Sequence, residues 1–225
     1  MAKAAKKSTV NSSQIQEAYI DYVLMNNEPP KSIYLFAKSL KISEAEFYNF
    51  YTSFMAIEKT IWAELTETTI TKIAHQEIWS QYTSREKILS FFFSFVELLK
   101  TQRSFVLYSL KKAGIGLSTP EVLLTAKQKF ESFADTVIKM GLESGELAHR
   151  KFLSERYKNG LSLQFAFILH FWAEDESKDF EKTDEAIEKG INLSFDFFQH
   201  SPIDNLFEYG KFIVRNGKLR EKMGI

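Results

Sequence analysis

Apolar residues recur along this chain with the period of an amphipathic helix. Ile15, Ala18, Tyr19, Tyr22 and Val23 fall at i, i+3, i+4, i+7 and i+8, one face of a first helix. After Pro29-Pro30 the pattern resumes with Ile33, Phe36, Ala37 and Leu40, a short helix of about two turns with Ser32 as its N-cap. Ser43 followed by Glu46 is a capping box, and Ile42 before it is placed to staple onto Phe47, so a third helix starts at Ser43 or Glu44. Only two residues separate Leu40 from Ser43, which makes the second and third helices a tight helix-turn-helix pair with the first packed across them. On this reading Phe47, Phe50 and Tyr51 face the core and Glu44, Tyr48 and Asn49 face outward.

Ile57, Ile61, Trp62, Leu65, Ile70 and Ile73 predict a fourth helix running from Ser53 toward Trp79. Thr83 and Glu86 form a second capping box that opens a helix through Leu99. Further helices are expected at about 103–113, 120–140, 153–172 and 183–199, the second of them started by Thr119 as N-cap with Pro120 at the first helical position. Proline and glycine are scarce and sit at intervals, among them Gly114, Gly116, Gly160, Pro202, Gly210 and Gly217, with long uninterrupted segments between them, and no sustained period-2 stretch occurs. The predicted fold class is all-α, with a small helix-turn-helix domain over residues 1–55 and a larger helical domain over 56–225.

Composition narrows what such a chain does. It has 225 residues and no cysteine, which excludes disulfides, thiolate catalysis and Cys-ligated metal centres. His75, His149, His170 and His200 are far apart and lack ligand spacing, so no metal or other cofactor is expected. There is no nucleophile elbow and no Walker or dinucleotide glycine motif, since Gly114-Ile115-Gly116 lacks a third glycine and a preceding strand; an enzyme is not expected. The start of the chain is basic and small rather than apolar, and the stretch from Leu161 to Trp172 is about half a membrane span, so a cytoplasmic protein with no membrane span is expected. Formal net charge is zero, and residues 1–60 carry seven Lys against six Asp and Glu, so no general affinity for nucleic acid follows from charge. Lys3, Lys6 and Lys7 form a short basic arm able to reach a minor groove.

The N-terminal region resembles the TetR family. Ala37, Ile42, Ser43, Phe47, Tyr48, Tyr51, Ser53 and Ile57 stand at matching positions of its helix-turn-helix. The resemblance implies a homodimer that binds operator DNA through the third helix and a small apolar or amphipathic ligand through the C-terminal domain, with the last long helix pair as the dimer seam. DNA contacts would come from Ser32, Lys38, Ser43, Glu44, Ala45, Tyr48 and Asn49. The chain departs from the pattern at Lys41, where the family has a turn glycine, at Glu44 and Glu46 near the start of the recognition helix, and at Phe54, where the family has a phosphate-contacting lysine. Binding to DNA rests largely on phosphate neutralisation, so these changes imply a specific but weak contact. Some proteins of this fold bind lipids without regulating transcription, and the alternative expectation is a lipid- or isoprenoid-binding accessory protein with a vestigial helix-turn-helix.

The C-terminal domain is rich in phenylalanine, which suits a concave apolar ligand site as well as a core. Phe92, Phe95, Tyr108, Phe133 and Phe165 are the expected pocket residues, with His170 as a polar anchor; a core or interface role is the competing reading of His170.

Overall fold

The computed structural model describes residues 10–113, 119–150 and 156–199, and among them every regular element is a helix. The helices are α1 (Ser12–Asn26), α2 (Ile33–Ser39), α3 (Glu44–Tyr48), α4 (Phe54–Ala74), α5 (Ser84–Lys100), α6 (Arg103–Ala113), α7 (Leu124–Glu143), α8 (Tyr157–Glu174) and α9 (Glu181–Phe198). Local chemistry sets their starts. Asn11, Ser43 and Thr83 each close a capping box with Gln14, Glu46 and Glu86, while Ser32 and Ser53 cap α2 and α4 with single bonds to Leu35 N and Ala56 N.

Two boundaries differ from expectation. The fourth helix stops at Ala74, and Trp79 lies in a separate 3-10 turn over Glu77–Gln81. Pro120, not Thr119, occupies the cap position of a short 3-10 turn over Glu121–Leu123, and no side chain caps it. The proline ring carries no hydrogen-bond acceptor, so Pro120 cannot cap the N–H groups of the turn that follows, and the α-helix begins later, at Leu124. The α8 helix is described from Tyr157; residues 153–155 of the expected 153–172 helix lie outside the described residues, as do Lys3, Lys6, Lys7, Gly114 to Gly116, His200, Pro202, Gly210 and Gly217.

The body closes as a ring of helices: α4 packs on α5 and α7, α7 on α8, α8 on α9, and α9 back on α5. Its centre is a stack of phenyl rings. Phe91 lies 4.9 Å from Phe130 and 5.3 Å from Phe95, and Phe165 lies 4.9 Å from Phe130, centroid to centroid. Aromatic pairs at such spacing add to the energy of burial itself, about 0.5–1.5 kcal/mol per pair. Continuous with this stack, among the N-terminal helices, Tyr19, Phe36 and Phe47 surround Phe54.

The turn between α2 and α3 is a Schellman motif: the Ile42 N–H donates to the Ala37 carbonyl, the Lys41 N–H to that of Lys38, and Lys41 takes φ 60°, the left-handed region. A Cβ there costs about 1 kcal/mol. Lys41→Gly should therefore raise the melting temperature by about 2 °C without moving either helix; a lower melting temperature in calorimetry would contradict the strain account.

The α8–α9 connection is also bent against preference. Asp179 and Phe180 sit consecutively at φ 53° and 64°. Neighbouring bonds hold them. The buried Asp175 carboxylate accepts from Ser177 N at 2.8 Å, from Thr183 N at 2.9 Å and from Thr183 Oγ1 at 2.6 Å, so it caps the first turn of α9 from outside the helix. Burial pushes this carboxyl up, but the hydrogen bonds from Ser177 and Thr183 outweigh it and hold it down at about 2. The Arg103 guanidinium stacks 4.5 Å from both the Trp172 and Phe180 rings and donates to the carbonyls of Trp172 and Asp175.

Candidate functional site

The helix-turn-helix face presents the residues expected to meet DNA, with their roles divided. Ser32 and Ser43 are used locally: Ser32 Oγ accepts from Leu35 N at 3.2 Å, and Ser43 Oγ accepts from Glu46 N at 3.1 Å while donating to Glu46 Oε2 at 2.8 Å. Lys38, Glu44, Ala45, Tyr48 and Asn49 are exposed. Phe50 corrects the expectation that it faces the core: it is 44% exposed, because α3 ends after five residues and the helical period no longer governs where Phe50 points. The outer surface of this region is thus apolar and aromatic as well as polar, with Tyr34 and Leu35 on α2 exposed beside the α3 residues. Phe54 is partly buried, stacked 5.5 Å from Tyr19, and it makes a core contact in place of a phosphate contact.

Beneath this face lies a buried polar network that the sequence reading missed. Glu58 on α4 is 1% exposed. Tyr19 of α1 donates its hydroxyl to Glu58 Oε1 at 2.6 Å, Ser109 of α6 donates to Oε2 at 2.8 Å, and Trp62 Nε1 donates to Ser109 Oγ at 3.1 Å. Burial, then the hydrogen bond to Glu58 and its charge, hold the Tyr19 phenol far above its ordinary range. Tyr108, expected in a pocket, is half-buried on α6; its phenol is raised by burial first and then by the charge of Glu58. The network ties the first helix of the helix-turn-helix to the linking helix and to the body. A second tie lies nearby, where Gln16 Nε2 donates to Tyr51 Oη at 2.8 Å and to Glu64 Oε1 at 3.1 Å. Glu58 was legible in principle, since it falls on the same face as Ile61, Trp62 and Leu65.

The expected pocket residues separate. Phe92, Phe95 and Phe165 are buried in the ring stack, where each contacts other rings. His170 is half-buried on α8, its side chain 40% exposed while Nδ1 is buried, 3.8 Å from Glu174 Oε1, and it stands apart from the ring stack. Phe133 alone of the six lines an open groove of about 710 Å³ between α4 and α7, facing Trp79 at 6.1 Å between ring centroids.

A third surface is apolar and outward. Leu163 and Phe167 on α8 and Leu193 and Phe197 on α9 are 47–71% exposed, each pair spaced i, i+4, with Phe171 5.8 Å from Phe167. Among the described residues no group of three or more His, Asp or Glu side chains is placed to hold a metal, and no helix is long and apolar enough to cross a membrane.

Residues 87–213 match the family model described as "Tetracyclin repressor-like, C-terminal domain", more than half of the chain. No curated protein matches the sequence. Among solved structures, the chain is similar to a TetR-family transcription regulator from Shewanella sp. PV-4, at 14% identity and a TM-score of 0.57, covering 85% of this chain and 100% of that one. It is also similar to a TetR-family transcription regulator from Marinobacter aquaeolei VT8, at 15% identity and a TM-score of 0.44, covering 82% of this chain and 93% of that one.

Proposed function

The chain belongs to the TetR family of transcription regulators, and from that premise we propose that it works as a homodimeric, ligand-responsive, non-enzymatic regulator of operator DNA in the cytoplasm. Residues 1–55 are its DNA-binding unit and 56–225 its ligand and dimer unit. The observation that carries this reading is the doubly capped α2–α3 pair, tied through Glu58 to α4 and α6. A rigid helix-turn-helix is presented outward, and the helix beneath it is bonded to the body. Ligand binding that shifts α4 against α6 would move Tyr19, and with it the spacing of two recognition helices on half-sites about one DNA turn apart. The α8–α9 stripe supplies the dimer seam.

DNA binding on this reading is specific and weak. Tyr48 and Asn49 supply contacts to phosphate and base edges, while Glu44 opposes the phosphates and Phe54 contributes no charge. Selection from the source genome at low salt, followed by sequencing, should return a palindromic operator. Each phosphate neutralised adds about 0.9 to the slope of log affinity against log salt, so the wild-type slope should be shallow and Glu44→Lys should steepen it by about 1.8 per dimer. Tyr48→Ala should weaken operator binding. If the wild type selects no operator while Glu44→Lys binds DNA of any sequence, the regulator reading fails. The inward Phe54 and the exposed Glu44 then favour the second reading, a lipid- or isoprenoid-binding accessory protein with a vestigial helix-turn-helix.

A further inference from the structure

We propose that the trough between α4 and α7 binds a cationic amphiphile, its apolar chain lying on Trp79, Phe133 and Met140 and its positively charged head beside Glu64. The proposal rests on the ligand-responsive part of the reading above and gives that ligand a place and a chemical class.

The trough has two parts. The larger, about 710 Å³, has an apolar floor of Ile70, Trp79, Phe133, Val137 and Met140. That is within the range of sites that hold small molecules, roughly 300–1,000 Å³. The smaller, about 270 Å³, lies nearer the helix-turn-helix and is lined by Lys59, Thr60, Ala63 and Glu64 of α4. Glu67, Thr125 and Lys129 line both parts, so the two depressions meet there. One end is therefore apolar and the other charged, the division an amphiphile needs.

The sign of the head follows from the ion pairs. Lys129 Nζ lies 2.8 Å from Glu67 Oε2 and Lys59 Nζ 2.6 Å from Glu121 Oε1, so each lysine of the polar end is neutralised by its own carboxylate. Glu64 is the third carboxylate, and the side chain bonded to it is the neutral Gln16 amide, at 3.1 Å. The lining side chains alone balance, Lys59 and Lys129 against Glu64 and Glu67; with Glu121, which pairs with Lys59 from outside the lining, the polar end carries one negative charge in excess, which attracts a cation and repels an anion. It sits on the helix that also carries Glu58, so an occupant bears directly on the element tied to α1.

Trp79 makes the test optical. The chain has three tryptophans, and Trp62 and Trp172 are fully buried away from solvent, which leaves Trp79 as the reporter of the trough. Dodecyltrimethylammonium and dodecanoate, each below its micelle concentration, would be titrated into the full chain, with Trp79→Phe as the control for the signal. The ammonium should change the emission and bind about tenfold more tightly than the carboxylate, and Glu64→Lys should reverse that order. Ala74→Phe, a substitution at an exposed position lining the trough, should weaken binding by at least about tenfold while leaving the melting temperature unchanged. Equal affinity for the two probes, or tighter binding of dodecanoate, overturns the ligand class. Unchanged ammonium binding in Ala74→Phe overturns the site and leaves a ligand-responsive regulator with its pocket elsewhere. If Ala74→Phe fails to fold, the charge reversal by Glu64→Lys decides alone. None of these measurements includes DNA, so an absent operator leaves their outcome intact.

Discussion

Glu58→Ala should lower stability by about 3 kcal/mol, a fall in melting temperature of roughly 6–12 °C for a chain of this size. The cause is the pair of buried hydroxyls it leaves behind. Tyr19 and Ser109 both donate to this carboxylate, from α1 and α6, which also pack on each other, and neither hydroxyl reaches water once it is gone. Tyr19→Phe and Ser109→Ala each remove one charged hydrogen bond and should cost about 1.5–3 kcal/mol alone. Because the two donors share one acceptor, the double variant should not be the sum of the singles, and a double-mutant cycle by chemical denaturation measures the coupling. Hydrogen exchange gives the local signature: in Tyr19→Phe the amides of α1 should exchange faster while those of α8 and α9 hold. A Glu58→Ala protein within 0.5 kcal/mol of the wild type would show that the network is not what fastens α1 to the body.

The second large effect concerns assembly. Phe167→Glu combined with Phe197→Glu should convert the proposed dimer to a chain of 26.1 kDa by light scattering. In a two-fold interface each change occurs twice, so four phenyl rings become four carboxylates. Burying one such ring stabilises by about 1.5–3 kcal/mol, and the combined loss weakens association by at least a thousandfold. Helix content should stay the same, because both residues point away from the core of their own protomer. A wild type that is monomeric at micromolar concentration would remove the dimer, and an unaltered mass in the double variant would move the seam to another face.

How far the sequence reached depends on the range of the forces involved. Capping boxes at Ser43 and Thr83, and the two-residue turn before Ser43, lie within four residues and were readable from the letters alone. Phe50 was misassigned because periodicity assumes that a helix continues, and α3 does not. The expected pocket residues Phe92, Phe95 and Phe165 could not be told from core, since a ring in a stack and a ring on a cavity wall carry the same hydrophobic signal. His170 shares a helix with buried Ile168 and Leu169, but the letters give no direction for its ring. The Glu58 network was out of reach for a different reason: its partners are 39 and 51 residues away, and a lone Glu in an apolar stripe names neither of them.

The joint between α8 and α9 has a consequence for how two chains meet. Two consecutive left-handed residues without glycine, Asp179 and Phe180, would be abandoned by a free chain, and the Asp175 cap and the Arg103 stack keep them in place. The angle between the two helices is thereby set inside one protomer, before any partner arrives. Association on such a face orders little further backbone, so its free energy of docking is spared the entropy that a floppy hairpin would lose. In the proposed dimer the hairpin would dock as a preassembled unit, and a loosened joint would weaken the complex by the ordering it adds to association.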